Sequence, residues 1–191
     1  MRFLSGHQDY NNPGTDGVLP ARSMKTRSPG RCRRDHWQAP ALLRTIGSIM
    51  ACPFFMPTTK SDAAWFLHPS RLPLGAEWNG QCSAPGHEHC EPDRDQLKNC
   101  NLGYAVKCPR LPPDRAADAI RFSIARDGGS HLSLWFVHER DHRPAGHGTL
   151  EYDVLRAAWT SPHVDPRIQK MAECYLQSYL QRRPLPASTN S

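Results

Sequence analysis

Apolar and polar residues alternate most clearly in the second half of the chain. Ile120, Phe122 and Ile124 are separated by Arg121 and Ser123, and Leu132, Leu134 and Phe136 alternate in the following run. A period of two puts each set on one face of a half-buried strand. Between the runs stands Asp127-Gly128-Gly129, whose glycines accept the positive φ of a tight hairpin turn. Leu150, Tyr152 and Val154 repeat the alternation within 148–154. Together the three runs predict a three-stranded antiparallel meander.

The period then changes to that of a helix. Ile168, Met171, Ala172, Tyr175, Leu176 and Tyr179 share one stripe, and Gln169, Lys170, Glu173, Gln177 and Gln181 take the other side. Asp165 is placed to cap this helix, Pro166 suits its first position, Arg182 and Arg183 suit its negative end, and Pro184 stops it. Signals upstream are weaker. Ser61 or Asp62 predicts a short helix over 63–67 that Pro69 ends, 72–75 reads as extended and turn-like, and 95–99 allows one helical turn. The expected fold class is α+β: a small meander packed by a C-terminal helix and preceded by an irregular cysteine-rich segment at 80–113.

Composition limits the size of that fold. The chain has 191 residues, 18 prolines and 13 glycines, with a mean hydropathy of -0.64. One small domain over 50–183 is expected, between a basic extension at 1–49 and a tail at 184–191. Eight lysine and arginine residues against three aspartates give residues 1–49 a net charge of +5, while the remainder is nearly neutral. Nucleic acid is therefore expected only as a partner of residues 1–49, not of the domain. No apolar run approaches the about 20 residues that cross a bilayer, and Arg44 interrupts the one candidate export segment at 39–52. A cytoplasmic protein without a membrane partner is expected. The change in charge near residue 50 also raises the expectation that translation starts at Met50 or Met56.

Candidate chemistry lies in the cysteines. Cys82, Cys90, Cys100 and Cys108 are separated by seven, nine and seven residues, in a stretch with little apolar content of its own. Four thiolates supply the tetrahedral set that zinc or an iron–sulfur cluster requires, and binding would order such a stretch. Zinc sites usually show two closely spaced cysteine pairs, which are absent. Wide spacing together with Cys108-Pro109 favours a four-iron cluster; zinc is the alternative metal, and a metal-free segment, with the cysteines either paired as disulfides in an oxidising compartment or simply buried as thiols, is the other reading. Cys52, His87 and His89 are each able to replace Cys90. Cys32 and Cys174 read as bystanders. A site with four protein ligands has no open position, so the chain is not expected to be an enzyme, and an electron-transfer, redox-sensing or structural role with a protein or redox partner follows.

Residues 100–105, Cys-Asn-Leu-Gly-Tyr-Ala, with Cys108-Pro109-Arg110-Leu111-Pro112 and Asp118-Ala119-Ile120-Arg121-Phe122-Ser123, resemble a bacterial cysteine-containing protein family of no assigned function. The resemblance spans about residues 50–160 and implies no activity. Three smaller expectations concern other residues. His138, His142 and His147, with Glu139 and Asp141, read as a solvated loop before a metal or catalytic site. Trp135 and Val137 are expected to cover the cysteine segment. Arg110, Arg115, Arg121 and Arg126 are expected on a mixed, solvated face, since Asp114, Asp118 and Asp127 interleave with them.

Overall fold

The computed structural model describes residues 50–103 and 108–183. The expectations for residues 1–49 and 184–191 lie outside the described residues. The fold is α+β. In chain order it contains β1 (Phe55–Lys60), a 3-10 turn (Pro69–Arg71), β2 (Trp78–Cys82), α1 (Arg94–Leu102), β3 (Ala119–Asp127), β4 (His131–Arg140), β5 (Arg143–Asp153), β6 (Ala158–Ser161) and α2 (Pro166–Arg182).

The predicted meander is the larger sheet with one more strand. Its order is β3-β4-β5-β6, all antiparallel. Phe122 faces Phe136, Ile124 faces Leu134, and Leu134 in turn faces Leu150, so the alternating residues form one apolar face. The added strand β6 pairs Trp159 with Tyr152, and their rings meet edge to face at 5.1 Å. β6 is only four residues long, too short for alternation to reveal it. A separate antiparallel pair, β1-β2, sets Phe55 opposite Cys82 and Met56 opposite Gln81. Ala51, just before β1, exchanges two backbone hydrogen bonds with Ile120 at 2.6 and 2.9 Å and so continues the open side of β3.

Helix α2 follows from its cap. The Asp165 carboxylate accepts the Arg167 N–H at 2.9 Å, and Pro166 stands at the first helical position. Its apolar stripe shares one core with the larger sheet and with β1-β2, among them Phe55, Leu74, Ile120, Leu132, Leu134 and Met171. Tyr175 stacks on Phe122 at 5.9 Å, and the Tyr179 hydroxyl donates to Asp127 at 2.6 Å. At the other side Lys60 donates to Gln181 at 3.0 Å, and Arg182 donates to the Gly75 carbonyl.

Two local expectations give way. Residues 63–67 are not helical. Ser61 Oγ accepts the Ala63 N–H at 3.2 Å, Glu77 accepts the Trp65 N–H at 3.1 Å, and Ala64 has φ +51°. Side-chain acceptors thus take the N–H groups of this segment and hold it as a turn. Conversely, the single turn expected at 95–99 is a nine-residue helix, because Asp93 and Gln96 form a reciprocal capping box. No helix among the described residues is long and apolar enough to cross a membrane.

The Asp165 cap gives a prediction. Its hydrogen bonds from the Arg167 side chain hold the carboxyl below the usual aspartate range, although partial burial opposes this. A lowered folded-state value makes the contribution complete above about pH 4 and lost as the pH falls through the folded value. Asp165→Ala is expected to destabilise the fold by about 1 kcal/mol at pH 7. In urea melts the gap to the parent chain should narrow towards pH 3; a gap independent of pH would refute this account.

Candidate functional site

The site begins with how α1 is held. Asn101 on α1 is 1% exposed. Its side chain accepts the Trp78 N–H at 3.0 Å and donates to the carbonyls of Trp78 and Leu97 at 2.9 and 3.0 Å. One amide thus stands in for a strand partner to β2 and pins the helix there. Cys100 is the preceding residue, and Cys82 ends β2.

The Ala51–Ile120 bridge delivers the next residue, Cys52, to the same place. The Cys52 N–H donates to the Cys100 carbonyl at 3.2 Å. Their thiols are also hydrogen-bonded, with Cys100 the donor and Cys52 the acceptor. This bond, together with hydrogen bonds from the Phe54 and Phe55 backbone, holds Cys52 below the ordinary thiol range despite its burial. Cys100 is pushed well above that range by the same bond, by burial, and by the charges of Cys52, Cys82 and Cys108. Burial also raises Cys82, partly offset by a hydrogen bond from the Ala84 backbone; Cys52 and Cys108 raise it further, while Arg110 lowers it. Four sulfurs from four separate segments therefore sense one another in one largely buried region.

Arg110 enters this region against expectation. It is 7% exposed, not part of a solvated face, and its Nη1 is buried without a hydrogen-bond partner. The charge of Arg115 lowers Cys52 slightly, but Arg115 is committed to Asp118 through a 2.5 Å ion pair. The charge of Arg110 favours ionisation of Cys82, against the burial that raises it, and its unpartnered Nη1 leaves a donor for an anionic partner.

Three of the four predicted ligands, Cys82, Cys100 and Cys108, belong to this cluster, and Cys52 is the fourth sulfur. Cys90 lies across an isolated bridge from Cys82, but its sulfur is disulfide-bonded. His87 and His89 sit on the turn between these two, half-buried and exposed respectively. Among the described residues, no group of three or more His, Cys, Asp or Glu side chains is arranged as it stands to hold a metal ion. The sequence carries a signal for Cys52: the Cys-Pro dipeptide that marks Cys108 also occurs as Cys52-Pro53. Nothing local marks Arg110, whose role depends on its burial.

The remaining candidates separate. Cys174 lies within α2, and burial pushes its thiol up to about 12, so it is an unreactive core residue. His138 lies on the apolar face beside Phe136 at 5.5 Å, whereas His147 lies on the opposite face beside Trp135 at 6.3 Å. His142 sits in the β4–β5 turn with φ +61°. A sheet thus stands between His138 and His147, and they do not converge. Trp135 is 51% exposed, so it does not cover the cysteine segment. No protein-family model, curated protein or solved structure matches the chain.

Proposed function

We propose that Cys52, Cys82, Cys100 and Cys108 bind a metal centre, an iron–sulfur cluster in the leading reading, and that the protein serves in electron transfer, redox sensing or cofactor-stabilised interaction. The observation that carries this reading is Arg110, buried with an unpartnered Nη1 and acting through its charge on Cys82. Four thiolates outweigh the positive charge of a zinc ion or an oxidised four-iron cluster, so either centre is anionic. Such a centre would compensate a guanidinium whose burial otherwise costs several kcal/mol.

The backbone supports the same ligand set. The backbone at Phe54 and Phe55 lowers the Cys52 thiol, and that at Ala84 lowers Cys82 against its burial. Donors of this kind stabilise thiolates and tune the centre they hold. A cluster would supply one-electron chemistry; zinc, the alternative, would supply a structural staple. With every position taken by cysteine, neither leaves a site for substrate.

Elemental analysis and a visible spectrum of protein purified without oxygen test the proposal. About four irons with matching sulfide, and a brown colour bleached by dithionite, are expected; about one zinc per colourless chain identifies the alternative. Protein that contains neither iron nor zinc would overturn the proposal. Ligand identity is tested by two substitutions: Cys52→Ser is expected to abolish metal retention, and Cys90→Ser to preserve it. The reverse result would return the site to Cys90.

A further inference from the structure

The two faces of the larger sheet are unlike. One is buried under α2; the other presents Trp135 near its centre, 51% exposed. The cross-strand neighbours of Trp135 are Ser123 and Thr149, whose small side chains leave the indole face open. His147 lies diagonally beside it, with ring centroids 6.3 Å apart. A half-exposed tryptophan at this position contributes little to the core.

A groove of about 620 Å³ runs from this indole over the open side of β3 to the 3-10 turn. Arg71, Arg121 and Arg182 line it together with Tyr175 and Trp135, and no aspartate or glutamate among the described residues does. Arg121 is held at 3.4 Å by Glu139, and Arg182 donates to the Gly75 carbonyl. Both guanidiniums are therefore positioned, while Arg71 stands exposed at the rim. Flat aromatic surface beside fixed positive charge is the chemistry that recognises a nucleotide unit, its base by stacking and its phosphate by arginine.

We propose that this sheet face and groove bind single-stranded nucleic acid, with a base stacked on Trp135 and the backbone phosphate at Arg71 and Arg121. A strand is favoured over a free nucleotide because the platform is open. Small ligands are held by burying most of their surface, whereas strands bind open sheets through repeated stacking and phosphate contacts. The site is separate from the thiol cluster and does not depend on a metal. It also uses none of the basic residues in 1–49.

Fluorescence polarisation of the full chain with a labelled oligothymidylate of about 12 nucleotides tests the proposal, that length being typical of such sites. Trp135→Ala is expected to weaken binding about 5- to 150-fold, the loss of one stacked base, and Trp135→Phe to restore most of it. Arg71→Gln is expected to reduce the slope of log affinity against log salt by about 0.7, the loss of one phosphate contact on a single strand. Both side chains are exposed, and unchanged circular dichroism would show that the fold is kept. Affinity and slope unchanged by both substitutions would place the binding elsewhere in the chain and overturn the proposal, as would no binding at low salt. Competition by adenosine monophosphate equal to that by the oligonucleotide would overturn the strand in favour of a free nucleotide.

Discussion

Gly103→Ala is expected to be among the most damaging single substitutions in this protein, lowering the thermal midpoint by about 10 °C. Gly103 caps α1 with φ +68° and ψ -176°, a region that essentially only glycine adopts, and any other residue is strained there by about 1–3 kcal/mol. Space compounds the strain. A Cβ at this position would strike the Met50 carbonyl oxygen and would lie 3.1 Å from the Ala51 carbonyl carbon. Backbone atoms cannot rotate aside as a flexible side chain can, so the Met50–Ala51 strand must move. That movement adds about 1–3 kcal/mol, the usual range for overpacking.

The same movement would disturb the thiols. Ala51 is tied to Ile120, and the next N–H, that of Cys52, is tied to Cys100 at 3.2 Å. Displacing Met50 and Ala51 therefore separates Cys52 from Cys100, and metal retention should fall together with stability. Gly86→Ala supplies the control. Gly86 has φ +78°, but a Cβ there would meet nothing within 4 Å, so the substitution brings conformational strain without a clash. Its expected loss is about 1 kcal/mol, with metal content preserved. Equal losses for the two substitutions in a thermal melt would show that close approach at Gly103 is unimportant.

Asn101→Ala is expected to cost about 2–4 kcal/mol, measured by urea denaturation. The substitution removes three hydrogen bonds made by a side chain that is 1% exposed. It leaves the Trp78 N–H and C=O buried without their partner, and each such group costs about 1–3 kcal/mol. Asn101→Asp separates this effect from a loss of packing, because it keeps the shape. The substituted oxygen would face the carbonyls of Trp78 and Leu97, an arrangement that suits the protonated acid and repels the carboxylate. Its folded-state pKa would therefore lie above the ordinary aspartate value of about 4. A raised folded-state value means that stability is fully present below about pH 4 and is lost as the pH rises through the folded value. Asn101→Asp should accordingly approach the parent stability in acid and fall behind it at pH 7. A constant deficit across that range would argue that the amide acts by filling space.

How much of the molecule is legible in the chain depends on the reach of each signal. Strands β3, β4 and β5 and helix α2 are written in residues that act within a few positions of one another. Alternation at Ile120–Ile124 and Leu132–Phe136, the period at Ile168–Tyr179 and the Asp165-Pro166 start each select a backbone conformation locally. The predicted helix at 63–67 fails because Glu77, more than ten positions away, supplies the acceptor that captures its backbone.

The sequence by itself therefore determined the α+β class, the alternating strands, the capped helix and an unusual density of cysteine, all of which follow from neighbouring residues. Only the tertiary structure decided that Cys52 lies against Cys100, that Arg110 is buried where its charge acts on Cys82, and that Trp135 faces solvent. Cys52 precedes Cys82 by 30 positions, and the two meet through β1-β2 pairing, the Ala51–Ile120 bridge and the Asn101 contacts to Trp78. Contacts at such separation are specified by the packing of whole elements, for which no short pattern in the chain exists, and burial, which leaves Arg110 Nη1 without a partner, arises only when those elements close around it.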